Sequence, residues 1–323
     1  MTGTRPVPAP PPERQRPGEL LGLGTWLFGW DTPEQEARHL MAKALDHGIT
    51  YFDTANNYGD GESERIVGSF LRTRRDQVVL GTKVYAPFGP DPADRGLSGQ
   101  AVRRAVDGCL RRLDTDRIDV LHLHRPDPDV PAAETAGVLA ELVRAGKVLR
   151  VATSTFKGQD IDAIQTALRR EGVATAVTDQ APYSLLERQV ESAAGAALRA
   201  WGMSVMAWSP LGEGLLTGKY TGSTGAGRLR RWNVLPQRRF QRGVATAERF
   251  GRLAADLGLA LPQLALAWLV RRPLVSSLLI GARTVDQFDT YLDGVSTELP
   301  PGADVRIDAI LPPGQTVLEH YAT

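Results

Sequence analysis

The chain has 323 residues, 42% of them hydrophobic, enough for one large core or two modest ones. Its 38 basic and 37 acidic residues leave a formal charge of +1, so no nucleic-acid partner is expected, and no apolar run approaches membrane-spanning length. A single cysteine, Cys109, excludes an internal disulfide framework and fits a reducing compartment.

Residues 1–18 are rich in Pro and Arg and lack the apolar centre of a signal peptide. They read as a disordered leader, with the cytoplasm as the expected location. From residue 20 onward, short apolar runs alternate with amphipathic stretches of helical length. The predicted strands are Leu20–Thr25, Ile49–Asp53, Val78–Lys83, Ile118–His124, Val148–Ser154, Ala174–Gln180, Met203–Trp208 and Val275–Gly281. The predicted helices are Pro33–His47, Ser63–Thr73, Ser98–Leu113, Ala132–Ala145, Gln159–Arg170, Glu187–Ala200, Gly243–Leu257 with Leu261–Arg271, and Thr284–Asp293. Thr32-Pro33 sets a cap before a first-turn proline, and His47-Gly48 and Glu171-Gly172 put glycine just past helix ends. Eight strand–helix pairs predict an α/β fold, a single (β/α)8 TIM barrel over residues 19–323. The irregular part is a long loop after strand seven, Pro210–Gln241, rich in Gly and Arg and containing Trp232. A loop of that length suggests a lid or a cofactor clasp.

In such a barrel the chemistry sits at the carboxyl ends of the strands. Asp53 ends strand two, Tyr58 follows it, Lys83 ends strand three and His124 ends strand four. Lys83 would be poorly solvated there unless paired, most simply with Asp53. A free tyrosine titrates near 10. A neighbouring ammonium favours the phenolate, so Tyr58 becomes a candidate proton donor to a carbonyl, with His124 orienting the carbonyl oxygen. His122 has the same parity and competes for the histidine role, although Arg125-Pro126-Asp127 stops the strand just after His124. His39, His47 and His320 carry no special role in this reading. No His-Glu-x-x-His spacing or Cys cluster supports a metal site.

With these residues in view, the chain resembles the aldo-keto reductase superfamily, especially its branch of potassium-channel beta subunits and related bacterial reductases. The resemblance runs from about residue 20 to 293. It is carried by Gly24-Thr25-Trp26, Asp53-Thr-Ala with Tyr58-Gly-x-Gly, Gly81-Thr-Lys83 and Asp119-x-x-x-x-His124-Arg-Pro-Asp. It continues through Thr153-Ser154, Gln180-x-x-Tyr183, Trp208-Ser-Pro-Leu-Gly and Gly281-Ala-Arg283. The resemblance implies NADPH-dependent reduction of an aldehyde or ketone, with Asp53, Tyr58, Lys83 and His124 as catalytic tetrad. It also implies cofactor binding without a Rossmann fingerprint, and no strand here leads into G-x-G-x-x-G.

By the same resemblance, Ser154 and Gln180 hold the nicotinamide carboxamide and Trp208 stacks on the ring. Gly24, Thr25, Trp26 and Asp53 lie beside the cofactor. Ser209, Pro210, Leu211 and Gly214 approach the pyrophosphate, with Lys219 and Arg228 or Arg230 folding over it. Gly281, Arg283 and Gln287 meet the adenosine end, where a guanidinium fork and a helix amino end suit a 2′-phosphate. Three departures stand out. Ala152 and Thr155 replace a usual Gly and a usual Asn or Arg, Thr290 and Tyr291 replace Glu and Asn against the adenine, and the amino-terminal hairpin is shortened or missing. The expected substrate wall comprises Trp26, Phe28, Asn57, Tyr85, His124 and Arg125, suited to a small carbonyl compound with some apolar surface. A nicotinamide-binding regulatory or assembly subunit is the competing reading. A barrel hydrolase or isomerase ranks last, because it leaves Lys83, Trp208 and Arg283 without a shared purpose. The resemblance is compatible with a homo-oligomer.

Overall fold

The computed structural model describes residues 17–88, 94–174, 176–220 and 236–322. Eight parallel strands follow one another round a closed barrel. They are β1 (Leu21–Gly24), β2 (Tyr51–Asp53), β3 (Val79–Val84), β4 (Ile118–Leu123), β5 (Val148–Ser154), β6 (Thr178–Pro182), β7 (Ser204–Trp208) and β8 (Val275–Ile280). Closure is made by β1 on β8, with Leu21 opposite Leu278 and Leu23 opposite Ile280. The expected barrel is therefore the observed one.

Around it run α1 (Glu34–Asp46), α2 (Glu62–Leu71), α3 (Gly99–Leu113), α4 (Ala132–Arg144), α5 (Gly158–Arg170), the short α6 (Val190–Ala193) and α7 (Gly195–Ala200). Then come α8 (Gln237–Asp256), α9 (Leu261–Leu269), α10 (Val285–Ser296) and α11 (Ala303–Ile310). Strand residues alternate between the two faces. Leu23, Phe52, Leu80, Leu121, Val205 and Leu278 are fully buried between strands and helices. The neighbouring positions turn inward and include Tyr51, Asp53, Lys83, His122 and Gln180. The barrel interior is thus strongly polar, which a hydrophobicity reading alone does not convey.

Several boundaries moved for identifiable reasons. Strand six begins at Thr178 rather than Ala174: Val177 is 57% exposed, while the polar pair Asp179 and Gln180 is buried. The helix expected over Glu187–Ala200 starts only at Val190 and is two short pieces, broken at Ala194 with φ −125°. The helix expected from Gly243 starts at Gln237. Gly243 lies inside that helix as a close-approach site, where a Cβ would come within 2.6 Å of Leu215. Residues 17–20 form one 3-10 turn before β1 and contain no strand. The leader up to residue 16 and residues 221–235 of the long loop, with Arg228, Arg230 and Trp232, lie outside the described residues.

Helix glycines give a direct test of packing. At Gly68, in α2, a Cβ would lie 2.4 Å from the Leu113 carbonyl oxygen of α3, whereas at Gly137, in α4, it would meet nothing within 4 Å. We expect Gly68→Ala to cost roughly 1–3 kcal/mol by overpacking. Gly137→Ala should stabilise by roughly 0.5–1 kcal/mol through helix propensity. Paired urea titrations measure both.

Candidate active site

At the carboxyl ends of the strands opens a cavity of about 970 Å³. The loop after β2 shapes its floor. Gly59, Asp60 and Gly61 all have positive φ, and a Cβ on Gly59 would lie 2.8 Å from the Phe28 carbonyl oxygen. This backbone returns the chain sharply into α2 and leaves the Tyr58 side chain on the cavity wall. The Ser63 hydroxyl knots the loop by meeting Thr25 Oγ1 at 2.7 Å and Thr54 Oγ1 at 3.0 Å. Glu64, completely buried, accepts from Thr82 Oγ1 at 2.7 Å and from Arg112 Nε at 2.6 Å, tying α2 to β3 and α3.

The centre of the site is the Lys83 ammonium, 1% exposed, which pairs with Asp53 Oδ2 and donates to the Thr54 carbonyl oxygen at 2.9 Å. Gln180 Nε2 donates to Asp53 Oδ1 at 2.8 Å, so both carboxylate oxygens are engaged. Lys83 Nζ stands 4.8 Å from the centre of the Tyr58 ring, and the His124 ring meets Tyr58 edge-on at 6.0 Å. Burial works against the ammonium, but Asp53 and Tyr58 outweigh it and raise the Lys83 pKa. Burial also raises the Tyr58 pKa, with Lys83 pulling it down and Asp53 adding to the rise. Lys83 thus favours the phenolate as expected, but burial outweighs it. Tyr58 is held protonated, and Lys83 limits the cost of losing that proton. His124 is neutral near pH 7, because burial and then the charges of Lys83 and Arg125 depress its pKa.

His122 occupies a different layer. It is fully buried beneath the site, with Nε2 2.6 Å from the Tyr51 hydroxyl, and is not on the cavity wall. His124 alone of the two histidines faces the cavity.

Residues 20–311 match the profile of the Aldo/keto reductase family. This chain belongs to that family. It is therefore an oxidoreductase of a catalytic family. It is 38% identical over 316 residues, 94% of this chain and 95% of the relative, to "Uncharacterized oxidoreductase YrpG" of Bacillus subtilis (strain 168). It is 32% identical over 300 residues, 90% of this chain and 91% of the other, to "Probable voltage-gated potassium channel subunit beta" of Arabidopsis thaliana. A protein of the same name from Oryza sativa subsp. japonica is 33% identical over 277 residues, 83% of this chain and 84% of the other.

On this aldo/keto reductase barrel, Gly24, Trp26, Asp53, Ser154, Gln180 and Trp208 stand on the cavity wall. So do Ser209, Pro210, Leu211, Gly214 and Lys219 on one side, and Gly281, Arg283 and Gln287 on another. Asn57, Tyr85 and Arg125 join Tyr58 and His124. Among the described residues, three expected at the site are not on that wall: Lys83, Thr25 and Phe28. Thr25 is fully buried, its hydroxyl donating to the Asp53 carbonyl oxygen at 2.9 Å. Phe28 is fully buried in the core, its carbonyl backing the Gly59 turn. Thr155 is on the wall with φ 59°, a left-handed conformation that a β-branched residue adopts only under strain. Thr290 and Tyr291 also reach the cavity.

The sequence reading missed the carboxyl-terminal segment. Leu318, Glu319 and His320 line the cavity, and the His320 ring lies 4.9 Å from Trp208. The apolar pair Val317-Leu318, buried at 6% and 1%, was the available signal that this tail docks. Among the described residues, no helix is long and apolar enough to cross a membrane, and no His, Cys, Asp or Glu cluster is placed to hold a metal.

Two buried groups of the barrel predict opposed pH effects on stability. Burial lowers the His122 pKa to about 4, and burial raises the Asp179 pKa to about 7. Folded His122 stays neutral while the unfolded residue takes a proton near 6.5, so its contribution is lost as pH falls from about 6.5 to about 4. Folded Asp179 keeps its proton while the unfolded residue ionises near 3.9, so stability is lost as pH rises from about 4 to about 7. Each slope is about 1.4 kcal/mol per pH unit, and they oppose one another where the windows overlap. Urea midpoints across this range should therefore fall with rising pH in His122→Gln, relative to the parent, and rise in Asp179→Asn.

Proposed function

We propose that the protein reduces an aldehyde or ketone with NADPH, reversibly, with Tyr58 as proton donor. One observation carries this reading. A buried ammonium, fixed by Asp53, lies against a protonated phenol on the wall of a cavity large enough for a dinucleotide and a small substrate.

The surrounding residues fit a dinucleotide. Trp208 is only half-buried and offers a flat ring beside Ser154 and Gln180. Ser154 Oγ donates to the Gln180 carbonyl oxygen at 2.9 Å and Gln180 Nε2 donates to Asp53, which leaves both side chains with acceptor capacity for a carboxamide N–H. The Gly212–Gly214 turn has positive φ throughout, and a Cβ on Gly214 would come within 3.2 Å of Lys219 Nζ, so a bare backbone and a cation meet there. At Gly281 the space where a Cβ would point is open. Arg283 precedes the amino end of α10, and its backbone N–H donates to Gln287 Oε1 at 3.0 Å. That end supplies free N–H groups and a guanidinium for a 2′-phosphate.

When bound, NADPH supplies a hydride to the carbonyl carbon. The chain supplies the rest. Tyr58 gives its proton to the carbonyl oxygen, and the Lys83 charge stabilises the phenolate left behind. Neutral His124 offers an N–H to the same oxygen as negative charge develops on it. Asp53 keeps Lys83 charged and in place. On the substrate side, Trp26 is buttressed edge-on by Trp30 at 5.9 Å, and the buried Asn57 Oδ1 has no hydrogen-bond partner among the described residues. An aldehyde or ketone with an apolar body and a nearby hydroxyl or N–H donor meets both.

The Arabidopsis and rice relatives, named as probable potassium-channel beta subunits, favour a second reading, in which slow turnover serves a binding or assembly role. Turnover across a panel of carbonyl compounds separates the two. We expect NADPH consumption with at least some aromatic or aliphatic aldehydes, and Tyr58→Phe to lower kcat by about 10²-fold or more. NADPH binding, followed by Trp fluorescence, should stay within about threefold in that variant. Arg283→Ala should weaken NADPH binding about tenfold or more while leaving NADH within about threefold, since only NADPH carries the 2′-phosphate.

A further inference from the structure

We propose that Glu187 is a positioning residue for the carbonyl end of the cavity: it holds residues 315–321 as a strap that sets His320 against Trp208. The inference rests on the reductase reading of the same cavity. Glu187 lies in the turn after β6, 1% exposed and away from the cavity wall. A buried carboxylate needs donors. Here its Oε1 accepts from the Gln189 N–H at 3.1 Å, and its Oε2 accepts from Thr316 Oγ1 at 2.6 Å and the His320 N–H at 3.1 Å. Two of these three donors belong to the tail.

Thr316 extends the grip. Its hydroxyl oxygen also accepts from the Leu318 N–H at 3.0 Å and the Glu319 N–H at 2.8 Å, which shapes the turn carrying His320. Backbone bonds run alongside, from the Val317 N–H to the Leu186 oxygen at 3.0 Å and from the Arg188 N–H to the Gln315 oxygen at 3.0 Å. Glu319, with φ 58°, reaches Arg239 at 3.0 Å and Arg242 at 2.9 Å on α8. The strap therefore bridges the turn after β6 and the helix after the long loop. It places the His320 ring 4.9 Å from Trp208 at 62°, with Nε2 4.0 Å from Glu213. His320 shares this cavity wall with Arg125 and His124, on the side of the proposed carbonyl. Glu187 touches none of these groups except through the strap, and its effect on catalysis is one of placement.

The test compares Glu187→Gln, Thr316→Val, Thr316→Ser and His320→Ala in the full chain. Glu187→Gln turns an acceptor into a donor facing donors. Thr316→Val keeps shape and removes the hydroxyl, whereas Thr316→Ser keeps it. With saturating NADPH and an aromatic aldehyde, Glu187→Gln, Thr316→Val and His320→Ala should raise KM about tenfold, with kcat within about threefold. Thr316→Ser should stay within about twofold of the parent. Hydrogen exchange over residues 315–321 should rise in Glu187→Gln and Thr316→Val. A lowered melting temperature with unchanged KM would make the contact a structural brace only and overturn the proposal, as would a Thr316→Ser variant that behaves like Thr316→Val. If the parent turns over no carbonyl, the reductase reading fails. The strap is then judged by Trp208 emission, taken as the difference from a Trp208→Phe background: a shift in all three variants supports it, and unchanged emission overturns it.

Discussion

The Lys83–Asp53 ion pair is the constraint around which this barrel is arranged. A buried ammonium is costly unless it is paired and hydrogen-bonded, and removing one partner of such a pair is strongly destabilising. Here the cost is offset by Asp53, whose second oxygen is held by Gln180, and by the Thr54 carbonyl. The three strands β2, β3 and β6 are thereby coupled through charge inside the barrel. The pair also leaves the ammonium against the Tyr58 ring, and its charge acts on His124 as well.

Around this pair the sequence spends its small polar residues on holding the loops still. Ser63 ties the ends of β1 and β2 through Thr25 and Thr54, and Glu64 anchors α2 to β3 and α3. The run from Asp53 to Glu64 therefore combines two jobs. Asp53 and Tyr58 face the cavity, while Ser63 and Glu64 fix the backbone that presents them. Burial then decides protonation. It holds the phenol protonated and the His124 imidazole neutral.

The barrel and the placement of Asp53, Tyr58, Lys83 and His124 near the strand ends were legible because their signals are local: an apolar run, a polar residue where it ends, and a helix period after it. Thr25 and Phe28 were misplaced because a motif names neighbours without saying which side chain turns to the cavity. Thr25 turns to Ser63, and Phe28 enters the core and lends the cavity only its carbonyl-backed turn. Strand six was offset because its buried residues, Asp179 and Gln180, are polar. The tail escaped notice for another reason. Its position depends on Glu187, which reads as a helix-surface charge until the fold brings Thr316 and His320 onto it. A contact between distant segments that uses one hydroxyl and one backbone N–H leaves almost no periodic trace.

In the proposed reaction the Lys83 charge makes Tyr58 an effective proton donor. The most direct measurement is kcat of a Lys83→Met variant with saturating NADPH, alongside cofactor binding and the circular dichroism of the same preparation. The expected result is a loss of about 10²–10⁴-fold in kcat, with NADPH still bound and the fold retained. A folded, NADPH-binding Lys83→Met protein with kcat within about threefold of the parent would contradict it.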